Sequence, residues 1–323
     1  MRYLITGGAG FIGSHLAEAL IEAGHEVAVM DDLSTGRMAN LRRVADRAGF
    51  RFVQGNVESA PELAGLVEWS DSVFHLAAAV GVELVVRDPV RTIETNIHGS
   101  ESVFACAARC GRRVLLASTS EVYGRAARQV FRETDDLLIG PPTHYRWSYA
   151  ASKALDEFLA LAYHKQRRLD PVIVRLFNTV GPRQTGRYGM VLPRFVASAL
   201  RHEPLRVFGE GTQTRCFCHV ADTVRALMLL EREPRAGGGI FNVGTSESIS
   251  INDLAARVIE VTGSRSTVVH VPYAEAYEPG FEDMQRRVPD TAKLRGLTGW
   301  CPGKGLGEII AEVRDCLCHE PEA

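Results

Sequence analysis

The chain lacks any unbroken apolar run of about 18 residues, the length a helix needs to cross a bilayer, so no membrane partner is expected. It lacks an excess of either charge. Its 37 basic and 39 acidic residues leave a net charge of −2, with no basic cluster, which argues against a nucleic-acid binder. It lacks a CxxC pair. The seven cysteines stand at 106, 110, 216, 218, 301, 316 and 318, spacings that support neither a zinc site nor a thioredoxin-like motif. Cys216 and Cys218 would point to opposite faces of an extended segment, no His/Cys cluster lies nearby in sequence, and His219 reads as structural, so no metal is expected. An odd number of cysteines suits reduced thiols. The opening Met1-Arg2-Tyr3-Leu4-Ile5 runs straight into Thr6-Gly7-Gly8, without the form of a signal peptide, and a cytoplasmic location is expected. Lysine is scarce, 4 residues against 33 arginines, which makes each lysine worth attention.

What is present is an ordinary globular composition: 323 residues, 46% hydrophobic and 24% charged. That length favours two domains, or one large domain with an insertion. Strands are expected at Arg2–Thr6, Glu26–Asp31, Arg51–Gly55, Ser72–Leu76, Arg113–Ser118 and Val172–Leu176. Helices are expected at Phe11–Ala23, Arg91–Cys110 and Tyr149–Arg167. This alternation predicts an α/β fold with a Rossmann-like, doubly wound parallel sheet. The second half is less regular. It carries one clear amphipathic helix at Ile251–Thr262 and a closing helix at Leu306–Leu317. No internal repeat or low-complexity linker separates the halves.

Gly7-Gly8-Ala9-Gly10-Phe11-Ile12-Gly13 falls between the first strand and the first helix. Gly7 permits a tight turn, Gly10 lets backbone approach a pyrophosphate, and Gly13 lets helix and strand pack closely. The helix N-terminus then faces the phosphates. Asp31 ends the second strand, 18 residues after Gly13. A carboxylate there accepts both ribose hydroxyls and repels a 2′-phosphate, so the cofactor is read as NAD. Asn56-Val57 follows the third strand, where a polar side chain can bond adenine or simply cap a loop. Tyr149 and Lys153 are four apart on a helix and share a face. An ammonium beside a phenol favours phenolate, which would lower the tyrosine pKa and suit it to take a proton from a sugar hydroxyl. Ser118-Thr119-Ser120 at the end of the fifth strand supplies hydroxyls near the same substrate oxygen, since ligands of open parallel sheets bind at strand carboxyl ends.

These motifs resemble the extended short-chain dehydrogenase/reductases that act on nucleotide sugars (NAD-dependent epimerases and dehydratases). The likeness covers nearly the whole chain. It runs through TGGAGFIG at 6–13, Asp31-Asp32-Leu33-Ser34, HLAA at 75–78, Asn96, STSEVYG at 118–124, Tyr149-x3-Lys153 and RLFNTVGPR at 175–183. It continues in PLRVFGEGTQTR at 204–215 and FNVG at 241–244. One departure is Asn56, where relatives usually carry Asp. The resemblance implies cofactor contacts from Gly7, Gly10, Phe11, Ile12, Gly13, Asp31, Asp32, Ser34, Asn56, Val57, Leu76, Ala77, Ala78, Tyr149 and Lys153. It implies an NAD-binding domain over 1–178, returning near 217–244, and a nucleotide-sugar domain over 179–323. A homodimer built on the helices at 91–110 and 149–167 is implied as well.

Within the family, Thr119-Ser120-Glu121 resembles the UDP-glucuronic acid decarboxylases. Oxidation at C4 of a uronate gives a β-keto acid that loses carbon dioxide readily, and a second acid/base group near C5 then becomes useful. Residues 280–290 resemble a decarboxylase segment ending in a substrate-facing arginine two residues before proline, here Arg287. The catalytic set implied is Thr119, Glu121, Tyr149, Lys153 and Arg287. The substrate set is Ser120, Asn178, Arg194, Leu205, Val207, Phe208, Arg215 and Arg287. Asn178 and Arg215 would meet the diphosphate, and Leu205–Phe208 would offer backbone to uracil. Val80-Gly81-Val82-Glu83 would lie beside the sugar. Three other readings stay open. They are a UDP-sugar 4-epimerase, favoured by Arg183-Gln184 and Arg187-Tyr188-Gly189-Met190-Val191, a 4,6-dehydratase, and a non-catalytic NAD-sensing scaffold.

Overall fold

The structure, a computed structural model, describes residues 1–81, 88–126, 128–186, 190–276 and 284–319. Its centre is a parallel sheet. Strands β1 (Arg2–Thr6), β2 (Glu26–Asp31), β3 (Phe50–Gln54), β4 (Ser72–His75), β5 (Arg113–Thr119) and β6 (Asp170–Leu176) are joined by a seventh strand at Gly239–Val243. Their spatial order is β3-β2-β1-β4-β5-β6 and then the seventh. The chain therefore winds one way from β1 to β3 and the other way from β4 onward. This reversal opens a crevice at the carboxyl ends of β1 and β4.

Successive strand residues face opposite sides of a sheet, and both sides here are covered. Tyr3, Ile5, Val27, Val29, Val172 and Val174 pack on one side against α1 (Phe11–Glu22) and a later helix. Leu4, Ala28, Met30, Val73, Leu116 and Ile173 pack on the other side against α2 (Glu62–Trp69), α3 (Pro89–Cys110) and α4 (Trp147–Arg167). The ends of α3 follow its sequence. Asp88 caps the first turn by accepting from the Arg91 amide (3.2 Å), Pro89 follows it, and Gly111 ends the helix at φ 62°.

After β6 come β7 (Thr179–Val180), α5 (Val191–Leu200), β8 (Leu205–Phe208), β9 (Thr214–Cys216), β10 (Cys218–His219) and α6 (Val220–Arg232). Next is β11 (Gly239–Val243), the seventh sheet strand, pairing in parallel with β6. Then follow β12 (Ser248–Ser250), α7 (Ile251–Thr262), β13 (Val268–Val271), α8 (Tyr273–Ala276), α9 (Ala292–Thr298) and α10 (Leu306–His319). A second core forms where α5, α7 and α10 close over β8, with Leu192, Phe195, Val207, Leu254, Val258 and Ile310 all buried. The sequence reading had no element at α2, α5, α6 or β11. Helix α2 is only eight residues long and carries Gly65, so its local signal is weak. Helix α4 begins at Trp147, two residues before the expected start, and this shift matters for the site.

Candidate active site

A cleft of about 580 Å³ runs along the carboxyl edge of the sheet, floored by the strand ends and walled by the second core. At one end, Gly7 adopts φ 72° after β1. A Cβ there would lie 2.7 Å from the Ala77 backbone nitrogen, so only glycine lets the loops after β1 and β4 approach this closely. A Cβ on Gly13 would strike the Gly7 carbonyl. Helix α1 starts at Gly10 with no side-chain cap, leaving its first amides toward the crevice. Asp31 closes this end. Its carboxylate accepts from the Ala9 amide (2.9 Å) and the Leu33 amide (2.8 Å). Burial raises its pKa, against the pull of those two bonds. Asp32 accepts from the Ser34 amide and hydroxyl (2.9 and 2.6 Å).

Phe11, Ile12, Asp32, Ser34, Val57, Leu76, Ala77 and Ala78 all line this end of the cleft, with Gly7, Gly10, Gly13 and Asp31. Asn56 lines it too, while its side-chain oxygen accepts from the Glu58 amide at 2.8 Å and so also caps the local turn. Asn96 ties the loop after β4 to α4, accepting from the Ala79 amide (2.8 Å) and donating to Ser152 Oγ (3.0 Å). These features fit NAD: a cradle that a Cβ would fill, an uncapped helix start and a carboxylate at the ribose position.

At the centre, β5 ends in Thr119 and the chain turns through a short 3-10 segment, Ser120–Tyr123. The Glu121 amide donates to Thr119 Oγ1 at 3.2 Å, which directs the Glu121 side chain into the cleft. Two arginines meet it. Arg287 Nη2 donates to Glu121 Oε1 at 3.1 Å, and Arg146 Nη2 lies 3.7 Å from Oε2. The three side chains are 10%, 4% and 15% exposed for Arg287, Arg146 and Glu121, so they interact at low dielectric. Tyr149 sits one helical turn beyond Arg146 and lines the same cleft. Its phenol is pushed above the ordinary value by burial first and then by the Glu121 carboxylate; a hydrogen bond with Thr119 pulls the other way.

Lys153 is buried beneath, outside the cleft lining, with its Nζ 2.7 Å from Asp156 Oδ2. Asp156 is wholly buried, and burial raises its pKa while Lys153 draws it back. The expected lowering of the Tyr149 pKa by Lys153 is therefore not seen here. The ammonium is neutralised by a carboxylate that the sequence reading had not considered. Behind it, His75 links Thr6 (Nδ1 to Oγ1, 2.7 Å) with Ser100 (Nε2 to Oγ, 3.2 Å).

Ser120 lines the centre beside Thr119, and Asn178, Arg194, Phe208 and Arg215 line the far end. Asn178 Nδ2 donates to the Cys216 carbonyl (3.1 Å), and Arg194 stacks over Phe208 with its guanidinium carbon 4.1 Å from the ring centroid. The side chains of Leu205 and Val207, whose expected contact with uracil is through the backbone, do not line the cleft. They alternate with Arg206 and Phe208 along β8, are fully buried in the second core, and belong to a strand paired with β13. Val80 and Gly81 line the cleft, whereas Val82 and Glu83, like Arg187-Tyr188-Gly189 and residues 280–283, lie outside the described residues. Arg183 is turned away, forking onto Glu18 of α1 at 2.7 Å to both oxygens. Cys216 and Cys218 are buried thiols pushed up to about 12 by burial. Among the described residues, no three His, Cys, Asp or Glu side chains gather to hold a metal ion.

Arg146 and Asp156 are the residues the sequence reading missed. The signal for Arg146 was its i, i+3 spacing to Tyr149, hidden because the helix was started at Tyr149 itself.

Comparison with known proteins agrees with this geometry. The chain is 40% identical over 319 residues to the UDP-N-acetyl-alpha-D-glucosaminuronate decarboxylase of Bacillus cytotoxicus, covering 97% of this chain and 98% of that one. It is 36% identical over 326 residues to UDP-glucuronic acid decarboxylase 1 of Danio rerio, covering 99% of this chain and 73% of that one. Its fold matches the structure of UDP-glucose 4-epimerase with UDP-glucose from Thermotoga maritima, with a TM-score of 0.86, 30% identity and 99% of each chain covered. A family model described as the NAD dependent epimerase/dehydratase family matches residues 3–244, and the chain belongs to that family.

Proposed function

We propose that this chain is a lyase that decarboxylates UDP-glucuronic acid in an NAD-dependent reaction. The observation that carries the reading is the contact of Glu121 with Arg287, beside Tyr149 in one cleft. A plain 4-epimerase needs only a proton carrier at O4. An acid/base carboxylate held by a guanidinium beside that carrier suits a reaction that also breaks the C5–C6 bond.

NAD, when bound, supplies the hydride acceptor and later donor for C4. Tyr149 takes the proton of the 4-hydroxyl while Thr119 orients that hydroxyl. The resulting 4-ketone is β to the C6 carboxylate. The C5–C6 bond breaks, carbon dioxide leaves, and the electron pair passes into a C4–C5 enolate. A proton from water, relayed by Glu121 that Arg287 holds in place, is added at C5. Tyr149 returns its proton to O4 as C4 is reduced, giving UDP-xylose. Release before reduction gives UDP-4-keto-xylose. Ser120, Asn178, Arg194, Phe208 and Arg215 hold the rest of the nucleotide sugar, with Arg215 suited to fork onto phosphate oxygens.

The same reading assigns residues 1–178, with the return near 217–244, to NAD and residues 179–323 to the nucleotide sugar. A homodimer is supported by an apolar face on α3 and α4, which pack on each other. Val90 and Phe158 are 62% and 67% exposed there, with Ile93 and Leu155 beside them. A cytoplasmic location is supported by seven free thiols. No helix among the described residues is long and apolar enough to cross a membrane.

The test is to incubate the purified protein with UDP-glucuronic acid and record the product mass. Loss of the mass of carbon dioxide is expected, and a further deficit of two hydrogens would mark escape of the 4-keto sugar. An isomer of unchanged mass would make the chain an epimerase and overturn the reading of Glu121 and Arg287. UDP-N-acetylglucosaminuronic acid belongs in the same experiment, because the 40% identical relative is named for it.

A further inference from the structure

We infer that Asp156 is a positioning residue for proton transfer: it pairs with Lys153 beneath the cleft and so sets how strongly Tyr149 holds a proton. The inference rests on the reading of Tyr149 as the base in the proposed function, which gives Asp156 no part.

Three observations carry it. First, Tyr149, Lys153 and Asp156 follow one another on α4 at i, i+4 and then i, i+3, so they share one face of the helix. Of the three, only Tyr149 lines the cleft. Second, the pair behind it is shut away from solvent. Lys153 is the one buried lysine of the four, and its Nζ donates to Asp156 Oδ2 at 2.7 Å. The two side chains are 2% and 0% exposed, so the charge of either is poorly screened from its neighbours. Third, the surroundings favour the ion pair. Ser100 on α3 favours the ionised form of Asp156, and its hydroxyl also meets His75 Nε2, at the end of β4, at 3.2 Å.

A lone ammonium one turn from a phenol favours phenolate and makes the tyrosine a weaker base. Here the proton between Nζ and Oδ2 can sit on either atom, and the pair carries no net charge in both cases. The Asp156 carboxylate itself also favours the protonated phenol. The other charges facing Tyr149 are Glu121, which acts in the same direction, and Arg287, which opposes them. Those facing the buried pair are Glu157 on the same helix, already tied to Arg175, and His75, held neutral by burial and by Lys153. Asp156 therefore makes Tyr149 the stronger base toward a sugar hydroxyl, although it touches neither the sugar nor the phenol.

The test reads Tyr149 directly. Phenolate absorbance is followed against pH on the NAD-loaded protein, and the titration of the matching Tyr149→Phe chain is subtracted. Asp156→Asn keeps the shape and removes the charge, so the Tyr149 signal should appear about one pH unit or more lower. The acid limb of kcat/KM for UDP-glucuronic acid should move down with it. Asp156→Glu restores a carboxylate and should return both toward the unsubstituted chain. A folded Asp156→Asn chain whose titration and limb stay in place, or move to higher pH, would overturn the inference and leave Asp156 a structural partner of Lys153. If Asp156→Asn alone does not fold, Lys153→Gln combined with Asp156→Asn removes the pair without stranding a charge. That double variant should leave the Tyr149 titration where it was, and a rise would overturn the inference by showing that Lys153 lowers the phenol unopposed. The titration needs no turnover. Failure to release carbon dioxide would therefore overturn the decarboxylase reading and leave this result standing.

Discussion

Two carboxylates flank the end of β5, and they are built differently. Ser118 and Thr119 are neighbours on that strand and point to opposite faces. Ser118 donates to Glu157 at 2.5 Å. Glu157 is also gripped by Arg175 through three bonds of 2.7, 3.0 and 3.2 Å. Arg175 then spends its remaining side on the Glu133 carbonyl (3.3 Å) and on the face of Tyr123, 4.7 Å from its centroid. Glu157 and Arg175 do not line the cleft, although Ser118 does. Thr119 leads instead to Glu121, which accepts from Arg287 at 3.1 Å and has Arg146 Nη2 3.7 Å from its other oxygen. Arg287 Nε is buried without a hydrogen-bond partner. The difference teaches how to tell a structural ion pair from a working one in the same fold. The structural pair satisfies its partners within the protein, whereas the pair that the proposed function uses has a buried Nε on Arg287 without a partner and faces a cavity.

The sharpest way to break this comparison is to remove one arginine from each cluster. Arg287→Met should lower turnover about 10²- to 10⁴-fold, the usual range for losing an acid/base function. Its stability should fall less than that of the matching variant in the Arg175 cluster, since Glu121 keeps Arg146 as a charge partner. Arg175→Met should do the reverse. It strands a buried carboxylate and should cost about 3–5 kcal/mol in urea unfolding. Turnover per folded molecule should stay near that of the unsubstituted chain. Equal stability losses in the two variants would erase the distinction.

How much of this could be read beforehand depends on what each position demands. Gly7 and Gly13 were legible because a positive φ and a missing Cβ restrict the residue type itself. Asp31 was legible because it must end a strand at a set distance from that loop. That Tyr149 and Lys153 share a helix was legible by spacing, although only Tyr149 lines the cleft. Arg146 was not, because the start of α4 lay two residues earlier than its apolar pattern declared. Asp156 was hidden for another reason: on sequence it is one more acidic residue of a helix, and only packing shows it buried against Lys153. Leu205 and Val207 are expected to meet uracil through their backbone, and the period of the strand, which buries their side chains on the face opposite Phe208, does not bear on that. Strand β11 joins the sheet 62 residues after β6 ends (176 to 239, exclusive), so no local pattern announced its partner.

A third buried polar group, His75, offers the smallest and most graded test of closure. It is 1% exposed, and each ring nitrogen has a hydroxyl partner, Thr6 or Ser100. Burial first, and then the nearby Lys153 charge, lower its pKa to about 3. An unfolded histidine titrates near about 6.5. Between those values the unfolded chain binds a proton that the folded chain refuses, so this group's contribution to stability is full above pH ~6.5 and declines as pH falls toward about 3. The slope is about 1.4 kcal/mol per pH unit well below 6.5. His75→Gln keeps a donor and an acceptor and removes the titration. Urea unfolding at a series of pH values from 7 to 5 should therefore show a shallower acid loss in the variant than in the unsubstituted chain. Parallel curves would mean that His75 is protonated within the fold, which its two hydroxyl partners and the neighbouring ammonium oppose.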